Sequence, residues 1–234
     1  MSKPKEIQIP GKDYFAWQYE EQTKVKHRVL GSYVKIWISK LGYKSNTLFF
    51  DCHGGCGAYV DDKNIVSFGS SILVKQIADK ISEKRSTKTG VFYCEKEKNT
   101  YENFVRIKNE LGNVKINTYN DSFENVILRP DISKYYNKFP TLFLVDPFGY
   151  SFDIEKLAVM MKGFGNEVIV NFMYDFITRF ISKNELKDSF NRFFGTNEWE
   201  NAIPLIGRER ETYLVNLFKN RLKEVTGAKY VFPY

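Results

Sequence analysis

The amino-acid sequence predicts an α/β protein, a doubly wound parallel sheet with helices on both faces. Three observations carry that expectation. Short apolar runs alternate with stretches of helical spacing, four of the runs end at an acidic residue, and the first opens into a glycine-rich turn.

From Glu21 to Leu41 the apolar residues Val25, Val29, Tyr33, Ile36, Trp37 and Leu41 recur at three- and four-residue steps, the spacing of an amphipathic helix. Residues 47–50 (TLFF) read as a buried strand that ends at Asp51 and the turn DCHGGCG. A polar loop over 61–67 leads to a helix over 70–82, spaced through Ile72, Leu73, Ile77 and Ile81. A second strand at 91–94 closes at Glu95, and a helix over 99–111 stops at Gly112. The third strand, 114–119, ends at Asn120-Asp121, and the fourth, 141–145, ends at Asp146-Pro147. A helix over 154–162 and a fifth strand over 168–171 follow. Residues 173–194 are aromatic, charged and helical in spacing, 208–226 form an amphipathic helix ended by Gly227, and 229–234 read as a sixth strand. No repeat or linker interrupts this order. A single domain over 1–234 is expected, with a basic helical segment at 1–46 and a helical insertion at 173–207.

Composition bounds the class. With 27% charged and 43% hydrophobic residues the chain suits a soluble globular protein, and 20 Phe, 15 Tyr and 3 Trp argue against disorder. No apolar run approaches the roughly 20 residues that cross a bilayer. The first residues, MSKPKEIQIPGKD, hold no apolar stretch of a secretion signal, so a cytoplasmic protein is expected. The net charge is +7, and residues 1–46 hold nine Lys or Arg against four acids. Such a basic segment suits a polyanion such as nucleic acid, with a plain solvated face as the alternative. Three cysteines, an odd count, read as reduced thiols.

Asp51, Glu95, Asp121 and Asp146 each stand at or just after the C-terminal end of a strand. In doubly wound sheets ligands bind at that edge, where the strand order reverses. The glycine turn, Gly54, Gly55 and Gly57, admits several readings. A dinucleotide fingerprint needs G-x-G-x-x-G opening into a helix with an acid about 20 residues on, and neither spacing is met here. A zinc site from Cys52, His53 and Cys56 needs a fourth ligand, which only Cys94, His27 or a carboxylate offers, and no metal is expected. A plain tight turn leaves the later acids unexplained. S-adenosylmethionine is the remaining candidate: Glu95 is placed for its ribose, Asp121 for its adenine, and the glycines for close approach to its methionyl end.

Asp146-Pro147-Phe148-Gly149-Tyr150 fits the chemistry of methylating an exocyclic amine. The Asp146 carboxylate and Pro147 carbonyl could accept both N–H groups and pull the nitrogen toward tetrahedral geometry, so that positioning and electrostatics do most of the work. Phe148 or Tyr150 could stack on an extruded base. An Asp-Pro strand terminator with a buried Phe is the equal alternative.

These motifs resemble a known family. Lys26-His27, FFDCHGGCGAY, YCEKEKNTYENF, NDSF, LFLVDPFGY, VNFMYDFITRF and FGTNEW are similar to the three-Cys-motif partner (TcmP) family over about residues 17–227. The first half also resembles the J-type 23S ribosomal-RNA adenine methyltransferases, in which a K-H pair, a D-x-H-x-G-x-G turn, an acid after strand two and D-P-P-Y recur. The resemblance implies a Rossmann-like class I S-adenosylmethionine-dependent methyltransferase fold. It implies a donor site from His27, Asp51, His53, Gly54, Gly55, Gly57, Glu95, Asp121 and Asp146, with catalysis at Asp146, Pro147 and Phe148. Ser70 falls loosely on a donor-site serine, and Lys26 on a contact to cofactor or phosphate. Lys24, Lys26, Arg28 and Tyr150 are expected to meet nucleic acid, DNA or RNA. The three-Cys-motif protein of the same locus is a candidate partner, and no membrane is expected.

Three departures stand out. The tetrapeptide is D-P-F-G, Cys56 replaces a small residue, and the chain ends at Tyr234 where such proteins continue into a strand hairpin, so an incomplete sheet edge or a truncated form is expected. The leading expectation is a methyltransferase acting on a nucleic-acid base, adenine. A catalytically reduced binding or assembly partner is the alternative, and a small-molecule methyltransferase a third reading.

Overall fold

The computed structural model describes residues 4–112, 114–147, 149 and 152–233. Its chain contacts divide it into two compact bodies, Ser2–Val145 with Gly163–Ile169, and Asp146–Lys162 with Val170–Tyr234.

The first body opens with two strands that periodicity did not show, β1 (Glu6–Gln8) and β2 (Phe15–Gln18), followed by helix α1 (Glu21–Leu41) and strand β3 (Thr47–Asp51). The expected polar loop over 61–67 is instead the turn and second arm of a hairpin, β4 (Ala58–Val60) and β5 (Val66–Phe68). Asp61 Oδ1 accepts from the amides of Lys63 and Ile65, both at 2.9 Å, and Asn64 takes a positive φ of 58°, the local chemistry of an Asx turn. The order β1-β2-β4-β5 forms a small sheet in which β2 pairs parallel to β4, Trp17 opposite Tyr59.

Next come α2 (Ser70–Ser82), β6 (Thr89–Cys94), α3 (Lys98–Glu110), β7 (Asn117–Tyr119), the unanticipated short helices α4 (Phe123–Leu128) and α5 (Pro130–Tyr136), and β8 (Thr141–Val145). With β9 (Glu167–Val170) these strands build the main sheet, ordered β7-β6-β3-β8-β9. In chain order that is third, second, first, fourth, fifth, the Rossmann-like arrangement, and β3 runs parallel to both β6 and β8. The order reverses between β3 and β8, which marks the switch point.

Every residue of β3 and β8 is buried, as expected of central parallel strands covered on both faces. On one face Phe49, Val91, Tyr93, Leu142 and Leu144 pack against α1, α2 and α3. The residues between them point to the opposite face, where Phe50 stacks on Phe92 (5.5 Å) and meets Phe143 (5.6 Å), which in turn meets Tyr136 of α5 (5.7 Å). Helix α1 forms where expected but buries only part of the expected stripe, Trp37 and, in part, Leu41. Leu30, Val34, Trp37 and Ile38 face the core, while Val25, Val29, Tyr33 and Ile36 are exposed.

The second body holds α6 (Glu155–Met160), α7 (Tyr174–Phe180), α8 (Lys187–Phe194) and α9 (Gly207–Thr226), with 3-10 turns at Asn184–Leu186 and Glu198–Ala202. The helical stretch expected over 173–194 is thus broken into three pieces. A cluster of Phe152, Phe172, Phe193 and Phe218 packs it, with Phe193 and Phe218 stacked at 4.9 Å. The sixth strand expected over 229–234 does not form: residues 229–233 carry no strand, and Tyr230 and Phe232 stack on each other while both remain exposed. With no neighbouring strand to pair it, an apolar run has no reason to be extended. Tyr234 lies outside the described residues. No helix among the described residues is long and apolar enough to cross a membrane.

Phe143→Ala removes a fully buried ring from the centre of the main sheet. It is expected to cost about 3–5 kcal/mol, read as a lower urea midpoint at unchanged slope.

Candidate functional site

The first body gathers most of the predicted donor residues at the C-terminal rim of its sheet. Strand β3 ends at Asp51, fully buried, whose Oδ2 accepts from the hydroxyls of Ser70 (2.5 Å) and Ser71 (2.7 Å), the first two residues of α2. A carboxylate beside the start of a helix is also favoured by the helix dipole. Ser71, which sequence reasoning missed, does the same work as the loosely matched Ser70.

The turn after Asp51 is tied to both neighbouring strands: Cys52 N–H donates to the Leu144 carbonyl and Gly54 N–H to the Cys94 carbonyl, each at 2.9 Å. It then lies flat on aromatic rings. A Cβ at Gly54 would collide with the Tyr93 ring, and one at Gly57, which adopts φ +85°, would stand 2.5 Å from Phe104. Tyr93 and Phe104 are stacked at 3.7 Å, and the Tyr93 hydroxyl donates to the Gly55 carbonyl at 2.6 Å. Gly55 (φ +64°) packs the same way on Trp17 of β2. These glycines therefore have a packing reason: aromatic side chains fill the space that a Cβ at each would need.

Asn103 completes the anchor. Fully buried on α3, it accepts from the Phe15 amide and donates to the carbonyls of Phe15 and Cys56, all at 2.9 Å. Nothing in the sequence marked it, since its partners lie far away along the chain.

Glu95, directly after β6, reaches the turn. Its Oε2 accepts from Gly55 N–H (3.3 Å) and its Oε1 from Glu97 N–H (2.8 Å) at the start of α3. Burial pushes its pKa up, and the two backbone donors partly oppose that rise. Asp121, two residues after β7, is exposed, and its Oδ1 accepts from Ser122 N–H (2.7 Å) and Asn125 Nδ2 (2.8 Å), beside Ser122, which caps α4. Asn120 Nδ2 donates to the Glu95 carbonyl at 2.8 Å, joining the ends of β6 and β7. His53 packs edge-on to Phe123 of α4 at 5.1 Å. The acids after three adjacent strands, the turn and His53 thus share one rim.

His27 sits on α1, where its Nδ1 meets the Tyr19 hydroxyl at 3.0 Å and its ring the Tyr59 ring at 5.1 Å. Tyr59 follows the glycine turn by two residues and contacts Trp17 beneath it, so His27 reaches the turn through an aromatic relay. On the same helix Arg28 is exposed and Lys26 half-buried, while Lys24 pairs with Glu21 at 3.6 Å and lies over the Tyr19 ring.

In the second body Asp146 Oδ1 accepts from Asn171 Nδ2 at 2.6 Å, a partner the sequence did not disclose. Pro147 is buried, and Gly149 (φ +91°) has the Phe176 ring 2.6 Å from where its Cβ would be. Phe148 and Tyr150 lie outside the described residues.

The three cysteines are buried free thiols whose pKa values burial raises, that of Cys56 to about 12, so none is primed as a nucleophile. Among the described residues no cluster of His, Cys, Asp and Glu stands ready for a metal ion.

No protein-family model matches the chain, and no curated protein matches it. A solved Escherichia coli structure, "Putative methyltransferase yhhF", is similar over 70% of this chain and 76% of its own, at 11% identity and a TM-score of 0.37. At that score the likeness carries no argument about function.

Asn103→Leu keeps volume but orphans the groups that Asn103 joins. It is expected to lower stability by at least about 1–3 kcal/mol, measured by chemical denaturation.

Proposed function

We propose that the protein is an S-adenosylmethionine-dependent methyltransferase acting on an exocyclic amine of a nucleic-acid base, adenine. The observation that carries the reading is Glu95: a carboxylate at the end of the second strand of the sheet, held against the amide of a glycine turn that follows the first strand. The donor set fits an adenosine carrying a charged tail. Glu95 would accept hydrogen bonds from the ribose hydroxyls, Asp121 would meet the adenine edge, and His53, Gly54, Gly55 and Gly57 would border the remainder. Asp51 supports the turn from below. When bound, the cofactor supplies an electrophilic methyl group. Asp146 and the Pro147 carbonyl would accept hydrogen bonds from the two N–H groups of the target amine and orient its lone pair, with Asn171 holding Asp146 in place. Lys24, Lys26 and Arg28 would meet phosphates.

A second reading, a binding or assembly partner that keeps the fold without transfer, draws support from the acids' engagements. Asp51, Glu95, Asp121 and Asp146 all accept hydrogen bonds from the protein itself. Membership in the three-Cys-motif partner family, with the locus's three-Cys-motif protein as the partner, suits either reading.

Calorimetry with S-adenosylhomocysteine tests the donor site. Glu95→Ala is expected to weaken binding about 10- to 100-fold, the worth of hydrogen bonds to a charged group, and absence of heat in the wild type would end the proposal. Affinity should fall as pH drops through the raised pKa of Glu95, because the ribose hydroxyls need its ionised form. Stability runs the other way. A carboxyl whose folded pKa is raised stabilises the fold at low pH, and that contribution is lost as pH rises through the folded value. Glu95→Gln should remove both dependences.

Asp146→Ala is expected to lower methyl transfer to nucleic acid about 100-fold or more while donor binding is largely kept. A wild type that binds donor but transfers to no DNA or RNA favours the partner reading.

A further inference from the structure

A second feature of the first body lies away from the carboxylate rim. A groove of about 540 Å³ runs along the sheet face at the β7 edge, starting from Asn46 and Lys88 at the N-terminal ends of β3 and β6. Gly90, near the start of β6, lets Leu48 and Phe92 close in at its floor, where a Cβ would stand 3.0 Å from Leu48. Its aromatic groups are ordered. Phe92 and Tyr119 line it, within 6° of parallel at 6.3 Å, and behind them the buried Phe50 stacks on Phe92 at 5.5 Å. Tyr135 and Phe139 form the facing wall, and Tyr135 is 41% exposed.

Cations accompany the rings. Lys134 lies over Tyr135 at 5.1 Å, Lys138 over Phe139 at 5.3 Å, and Arg129 over Tyr119 at 5.3 Å. Arg129 is held by Asp131 through two hydrogen bonds, at 3.1 and 2.9 Å. Lys134, Lys138 and Lys88 form no ion pair among the described residues. Four cations stand against two acids, Asp131 and Asp121, which both act on Arg129, and the surplus lies with the lysines.

We infer that this groove is a binding path for single-stranded nucleic acid, with an unpaired base stacking on Tyr135 and phosphates meeting Lys88, Lys134 and Lys138. Rings offer stacking to any base, and a row of cations tracks a backbone. A duplex, whose bases already stack on each other, gains nothing from the rings. The inference does not depend on methyl transfer, since a strand held here is held whether or not a methyl group moves.

The test is fluorescence polarisation of the full chain with labelled single strands of about 12 nucleotides, DNA and RNA, between about 50 and 300 mM salt. The same strands annealed as duplex, and adenosine monophosphate, serve as comparators. Tyr135→Ala should weaken single-strand binding about tenfold or more at every salt concentration, and Tyr135→Phe should restore it. Replacing Lys88, Lys134 and Lys138 together by Ala should reduce the salt slope by about 2, near 0.7 for each phosphate contact on a single strand. All four side chains are on the surface, and unchanged thermal melting confirms that the variants fold. A wild type that binds no single strand at the lowest salt overturns the inference. So do variants that bind like the wild type, or a duplex or mononucleotide bound as tightly as the strand. Calorimetry with S-adenosylhomocysteine on the same proteins keeps the two proposals apart: lost donor binding strikes the methyltransferase reading alone, and lost strand binding in the groove variants supports the path.

Discussion

The site rests on the packing of a glycine turn against a pair of stacked rings. Tyr93 comes from β6 and Phe104 from α3, and their faces sit so close beneath Gly54 and Gly57 that any side chain there would strike them. Trp17 of β2 takes the same position under Gly55, and Asn103 stitches Phe15 to Cys56 from the side. Three elements thereby fix one backbone stretch. The Gly55 amide is aimed at Glu95 by packing, before any ligand arrives. Such preorganisation matters because ordering a loop at the moment of binding costs affinity. The glycines are thus explained by the rings packed against them.

How much of this was legible follows from the range of each interaction. The strands TLFFD and TLFLV are buried throughout and read as continuous apolar runs, so the α/β alternation and the strand-end acids emerged from the sequence alone. Strands β1, β2, β4 and β5 have three or four residues each, too short for a period to show, and β2 is fixed by a distant parallel partner. Helix α1 carries two apolar stripes. Its period is clear, but which stripe is buried depends on the sheet it meets, and Val25, Val29, Tyr33 and Ile36 proved to be the exposed one. Asn103, Ser71 and Asn171 were invisible for a related reason, since an amide or hydroxyl gains its role only from what the fold brings within hydrogen-bonding distance.

The same dependence on context separates acids that looked alike along the chain. Asp51 is fully buried and accepts from two hydroxyls on one oxygen, an arrangement that joins the end of β3 to the start of α2. Asp121 is exposed and spends one oxygen on the first turn of α4. Glu95 lies between these extremes, partly buried, with one backbone N–H on each oxygen. An ionised carboxylate has about four acceptor positions, so two donors orient Glu95 without exhausting it. Burial raises the cost of its charge, and that cost is best offset by further donors of the kind two vicinal hydroxyls provide. Of the acids on this rim, Glu95 is therefore the one held by backbone donors alone, whereas Asp51 ties the end of β3 to α2. The position of a carboxylate after a strand marks the edge where binding can occur; its burial and its donors decide which carboxylate binds.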